Sequence, residues 1–229
     1  MRYTQVESGI FLRRPNRFIA HCLISGKEEV CHVKNTGRCR ELLTPGCTVY
    51  LEFSANPSRK TRYSLIAVEK AGRLINIDAQ APNAVFYEAL CKGFCPDFAP
   101  TIAEIRREVP CGQSRLDFCL TTADGPCYVE VKGVTLETNG VVRFPDAPTE
   151  RGCRHVRELC AMAKKGVQAA VVFIVQMEQV SYFTSNWEMD PLFADALLQA
   201  QAAGVAVQAY RCKVRPDALE LSETVPVRL

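Results

Sequence analysis

The chain is expected to fold as a two-domain α/β (α+β) protein, a small β-barrel followed by a mixed α/β domain. Three observations predict this. Residues 1–80 carry short strand-like runs separated by turn signals, Ala79-Gln80-Ala81-Pro82-Asn83 reads as a linker, and helical patterns then alternate with apolar runs. A length of 229 residues suits one large or two small domains. With 48% hydrophobic and 23% charged residues, the composition is that of an ordinary globular protein, which argues against disorder.

In the first part, residues 1–81, the run 18–24 reads as a strand ended by Ser25-Gly26, and 29–34 as the next. Residues 37–43 read as a short helix closed by Pro45-Gly46. Residues 47–53 form a further expected strand, and 63–69 with 73–78 a hairpin around Ala71-Gly72. A single short helix among the middle strands points to an OB-like barrel, a fold that often binds oligonucleotides. In the second part, residues 82–229, Asn83 is expected to cap a helix reaching Cys91, with Gly93 closing it. A second helical stretch is expected over 101–107. Residues 115–118 and 128–132 flank a turn at Asp124-Gly125-Pro126 and predict a hairpin, with a third strand near 141–144. Thr149 suits the cap of a helix running to Lys165, stopped by Gly166. The apolar run 169–175 predicts a strand buried on both faces. Pro191 opens another helix, Gly204 ends it, and 205–212 form a last strand. Strand–helix–strand order predicts a right-handed parallel crossover.

Charge is distributed unevenly. Residues 1–80 hold 13 Lys/Arg against 7 Asp/Glu, the remainder 15 against 18, within a net charge of +3. A basic first part suits contact with a polyanion; a solvated basic face is the alternative. Arg13, Arg14, Arg17, Lys34, Arg38 and Arg40 are the natural phosphate contacts there. The N-terminal stretch lacks an apolar secretory core and no run is long enough for a membrane span, so a cytoplasmic location is expected. The 12 cysteines then read as reduced thiols, mostly small core residues. Their spacing does not meet the rules for a structural zinc site.

The chemistry centres on the hairpin. Glu130 and Lys132 share one face of a strand, about 6–7 Å apart, and pairing across the turn would bring Asp117 beside them. Two carboxylates forced together in a half-buried sheet repel unless one is protonated or a cation sits between them. An oxygen-liganded cation such as Mg²⁺ (or Mn²⁺) resolves this, and the lysine would orient water or balance phosphate charge. The competing reading is a solvated Glu/Lys pair on the outer face of a sheet. Arg151, Arg154 and Arg157 oppose a helix dipole near its start, which suits a bound anion, although Arg154–Glu158 is also an ordinary i,i+4 pair. His155 reads as a packed histidine more readily than as a base. Asp146 and Glu150 are further candidates from the loop after the hairpin.

Several separated motifs carry a resemblance to a known family. They are Arg14-Pro15-Asn16-Arg17-Phe18, Asn35-Thr36-Gly37, Ser114-Arg115-Leu116-Asp117-Phe118, the run Tyr128-Val129-Glu130-Val131-Lys132-Gly133-Val134-Thr135-Leu136, Phe144-Pro145-Asp146-Ala147 and Thr149-Glu150-Arg151-Gly152. In this order they resemble the sugar fermentation stimulation protein A (SfsA) family, nearly end to end. The resemblance implies an OB-like N-terminal domain and a restriction-endonuclease-like C-terminal domain similar to the PD-(D/E)xK nuclease superfamily. It places the superfamily's metal-binding aspartate on Asp117, its second acid on Glu130 and its lysine on Lys132, with Leu116 where the proline of the superfamily's name would stand. It implies a further metal-binding glutamate on a helix. Glu88 matches best, and Glu104 and Glu108 compete. Asn35 and Arg151, lying in shared motifs, join the expected nucleic-acid contacts. The family is described as DNA-binding and linked to sugar (maltose) utilisation, so DNA is the expected partner. A non-catalytic regulator on a nuclease-like scaffold is the alternative.

Overall fold

The structure, a computed structural model, describes every residue except Thr36, Arg38 and Gln113. The N-terminal sheet contains β1 (Val6–Asn16), β2 (Ile19–Ile24), β3 (Lys27–Val33), β4 (Thr48–Phe53), β5 (Tyr63–Lys70) and β6 (Arg73–Asn76). The order is β3-β2-β1-β4-β5-β6, and an additional parallel pairing of β3 with β5 closes five strands into a barrel. Alternation decides which side chains enter it: Ala20, Cys22 and Ile24 of β2 are buried while Leu23 between them is exposed.

After the barrel come α1 (Ala81–Cys91), β7 (Glu104–Cys111), β8 (Ser114–Thr122), β9 (Gly125–Val134), β10 (Leu136–Thr138) and β11 (Val141–Phe144). They are followed by α2 (Glu150–Ala163), β12 (Gln168–Val175), β13 (Tyr182–Ser185), α3 (Pro191–Ala202), β14 (Ala206–Arg215) and β15 (Ala218–Val225). Six strands form a mixed sheet in the order β15-β14-β12-β9-β8-β7, and β10-β11-β13 form a small second sheet. The β12 strand is parallel to both β9 and β14, and its apolar run is fully covered. Thr149 caps α2 by accepting the Gly152 N–H at 3.0 Å. Asp190 accepts the Phe193 N–H at the start of α3 and, through its other oxygen, the Thr149 N–H at 2.8 Å. One carboxylate thereby ties two helix starts together.

Several local expectations differ from the structure. Residues 101–107 do not form a helix. Glu104 opens edge strand β7, whose exposed side chains carry charges on both sides, as edges commonly do. Residues 39–43 form tight turns in place of a helix, with Leu42 and Leu43 donating to the Cys39 carbonyl. The α1 helix begins at Ala81, with Gln80 at its cap, so Asn83 lies inside it. The strand over 141–144 forms, but in the second sheet rather than beside the hairpin.

The two parts share a core. One apolar cluster contains Phe11 and Leu51 of the barrel together with Val156, Phe173 and Leu197. A buried polar network crosses the junction: Gln176 Nε2 donates to Asn76 Oδ1 at 2.8 Å and to the Asp78 carbonyl at 3.0 Å, and Asn76 Nδ2 donates to the Tyr3 hydroxyl at 2.9 Å. The first residues cross over as well. Tyr3 N–H bonds the Asp217 carbonyl, and Met1 and Leu219 bond each other's backbone at the edge of the C-terminal sheet.

Candidate active site

Asp117, Glu130 and Lys132 converge because β8 and β9 are neighbours. The ladder between them runs from Thr122↔Gly125 to Phe118↔Val129. At the next position the Asp117 side chain takes over, its Oδ2 accepting the Val131 N–H at 2.8 Å. Its Oδ1 accepts the Asn83 side-chain amide from α1 at 2.7 Å. Val129 and Val131 point into the apolar core with α1. Glu130 and Lys132 point to the opposite face, where His155 of α2 meets Glu130.

Glu130 is 3% exposed and asymmetrically held. Its Oε1 takes Lys132 Nζ at 2.6 Å and His155 Nδ1 at 2.5 Å, while Oε2 is buried with no hydrogen-bond partner. Burial pushes the Glu130 carboxyl up, but the His155 and Lys132 contacts outweigh it and hold the acid ionised below its ordinary value. Asp117 goes the other way. Burial first, and then the Glu130 charge, push its carboxyl up to about 6. A pair of acids whose proton affinities are driven apart in one half-buried site is typical of functional centres. The donors are all oxygens, and one of them lacks a partner, so the pair suits a hard divalent cation. Among the described residues no third His, Cys, Asp or Glu joins them in a metal-holding group, so water and substrate oxygens would complete the shell.

The other expected site residues fall in different places. Glu88 pairs with the Met1 amino group at 2.7 Å and with Lys92, and the α1 residue that reaches Asp117 is Asn83. Glu104 and Glu108 lie on edge strand β7. Asp146 packs against Gly37, where an added Cβ would come within 2.2 Å of its Oδ2. Arg154 and Glu158 do not pair directly; both bond Ser114 Oγ at the start of β8. Arg151 Nε reaches His155 Nε2 at 3.5 Å. Two participants escaped the sequence reading in these roles, Asn83 and His155. The signal for His155 was its i+4 spacing from Arg151.

On the barrel, Arg13, Arg14, Arg17 and Arg40 line one cleft of about 450 Å³. Arg14 is its scaffold, donating to the carbonyls of Gly37, Arg17 and Asn35 at 2.9, 2.8 and 2.6 Å. Arg13 bonds Glu28 and His21, and Arg17 stacks over Phe18. Lys34 is turned inward to Asp78 at 2.9 Å, and Asn35 accepts the Gly37 N–H. Arg38 lies outside the described residues. A second, polar cleft of about 160 Å³ is lined by Asn35 and Gly37 together with Gly133, Thr135, Arg143 and Asp146.

A closed five-stranded OB-type barrel joined to a mixed α/β domain, with an acid–acid–lysine set on adjacent central strands, defines the class of protein. Residues 12–77 match the family model described as "SfsA N-terminal OB domain" and residues 80–218 the one described as "Sugar fermentation stimulation protein RE domain". The chain belongs to the sugar fermentation stimulation protein (SfsA) family. A homologue from Desulfitobacterium hafniense (strain Y51) is 51% identical over 100% of this chain and 99% of its own. One from Clostridium beijerinckii is 46% identical over the whole of both chains. The solved structure of Pyrococcus furiosus SfsA in complex with Ca²⁺ is similar with a TM-score of 0.90 at 31% identity, covering 100% of this chain and 98% of that one.

Proposed function

We propose that this protein binds DNA through the barrel cleft and hydrolyses phosphodiesters at a Mg²⁺- or Mn²⁺-dependent centre formed by Asp117 and Glu130. The observation that carries the reading is the buried, unpartnered Glu130 Oε2 beside an aspartate whose proton affinity burial and then the Glu130 charge raise. A relative solved in complex with Ca²⁺ supports a hard-cation site. A bound cation would polarise a phosphoryl oxygen and make its water a better nucleophile. The chain's own residues prepare for this. Val131 N–H and Asn83 fix the Asp117 carboxylate, and Lys132 offers an ammonium donor to a phosphate oxygen or the attacking water. Exposed Arg17 and Arg40, with Arg13, would hold backbone phosphates, and Arg151 would add one near the centre. Arg14 and Lys34, expected as phosphate contacts, serve instead to build the face. Glu88 drops out as a metal ligand in this reading. A cytoplasmic setting, with reduced thiols and accessible nucleic acid, fits it.

The second reading is a DNA-binding regulator, tied to sugar (maltose) utilisation, that keeps the centre as scaffold. It draws on one observation, that Glu130 already has an ammonium partner inside the chain, Lys132, and a second hydrogen-bond partner in His155. Labelled single- and double-stranded DNA and RNA, incubated with Mg²⁺, Mn²⁺ or chelator, separate the two. The enzyme reading expects metal-dependent cleavage that Asp117→Asn abolishes while binding survives. No cleavage of any substrate by the wild type, with binding indifferent to Asp117, would leave the regulator.

A further inference from the structure

We propose that His155 is a positioning residue that aims Glu130 Oε2 at the cation. The inference rests on the metal reading above and deepens it. A free glutamate side chain samples several rotamers, and each one moves the ligating oxygen by ångströms. Here both available donors, Lys132 and His155, converge on Oε1, so the other oxygen is left buried without a partner and free to ligate. The two donors are not equivalent. Lys132 is a flexible, partly exposed ammonium whose three N–H donors would be divided between Glu130 and a phosphate oxygen or water. His155 is 2% exposed, carried on the capped helix α2, and its ring has two χ angles to order. The Arg151 guanidinium can only donate, so its approach to Nε2 makes that nitrogen the acceptor and leaves the ring proton on Nδ1, facing Glu130. Arg151, His155 and Glu130 therefore form a chain of fixed hydrogen-bond direction, which holds the acid in place when the lysine also meets substrate.

The test is the affinity for Mn²⁺ alone, measured by calorimetry on the full chain without nucleic acid, for the wild type and for His155→Asn, His155→Gln and His155→Leu. An asparagine amide can place its N–H near the position of Nδ1, whereas glutamine extends to that of Nε2. Loss of such an outer partner costs roughly 10–100-fold in metal affinity. The expected result is a loss of that order for the Leu and Gln variants, with Asn within about threefold of wild type on the same principle. Far-UV circular dichroism checks each fold. Should the Leu variant not fold, the Asn–Gln contrast carries the comparison. Equal affinities across folded variants, or equal losses for Asn and Gln, would overturn the role of His155 while leaving the metal reading standing. A wild type that binds no Mn²⁺ would remove both.

Discussion

At the scale of single residues, the buried Asp117 makes stability depend on pH. A carboxyl that holds its proton more tightly when folded than when unfolded adds stability that is complete below its unfolded value and lost as pH rises through its folded value. Asp117 moves from 3.8 to about 6, so the loss develops between about pH 4 and pH 7. Its size is on the order of 2–3 kcal/mol. Asp117→Asn, in chelator at pH 7.5, is therefore expected to raise the thermal midpoint by several degrees, and the gain should vanish near pH 4. Scanning calorimetry at both pH values reads this directly, and a midpoint that falls at pH 7.5 would contradict it. The triad itself was legible because E-x-K on an apolar strand is chemically conspicuous. Asn83 was not, because an asparagine near a linker resembles a helix cap, and only the three-dimensional approach of α1 to β8 shows it bonded to Asp117.

At the scale of elements, sequence patterns succeeded where burial is one-sided or complete and failed where exposure along the strand is mixed. The run that became β12 was unmistakable because both faces are covered. β7 was misread because an edge strand bearing Glu104, Arg106, Arg107 and Glu108 has the charge density of a solvated helix. β1 and β15 carry mixed exposure along their lengths and were not anticipated. Among the helix starts, Asp190 matters most. It is buried, and its two oxygens each accept a backbone N–H, one from α3 and one from the residue capping α2. Asp190→Ala would orphan both donors and is expected to cost about 2–4 kcal/mol. Urea unfolding should show a lower midpoint with an unchanged slope.

At the scale of the whole molecule, the barrel and the C-terminal domain are expected to unfold together, since one apolar cluster spans them. Fluorescence of the single tryptophan, Trp187, and far-UV circular dichroism should give coincident transitions. Gln176→Met, which strips the junction of two buried hydrogen bonds, should lower both midpoints together by about 2–4 kcal/mol of stability. Binding belongs to this scale too. Under the proposed DNA-binding reading, replacing Arg17 and Arg40 by alanine should weaken binding across sequences and flatten the salt dependence by about one to two contacts' worth. The order in which the chain is made matters as well. The backbones of Tyr3 and Met1 find their hydrogen-bond partners on residues 217–219, and Leu219 lies 218 positions beyond Met1. At ribosomal speed that wait is roughly 10–40 s, far longer than a small barrel needs to close. During translation the backbone of Met1 and Tyr3 therefore waits for the β14–β15 hairpin, although the Tyr3 hydroxyl already has Asn76 within its own half of the molecule.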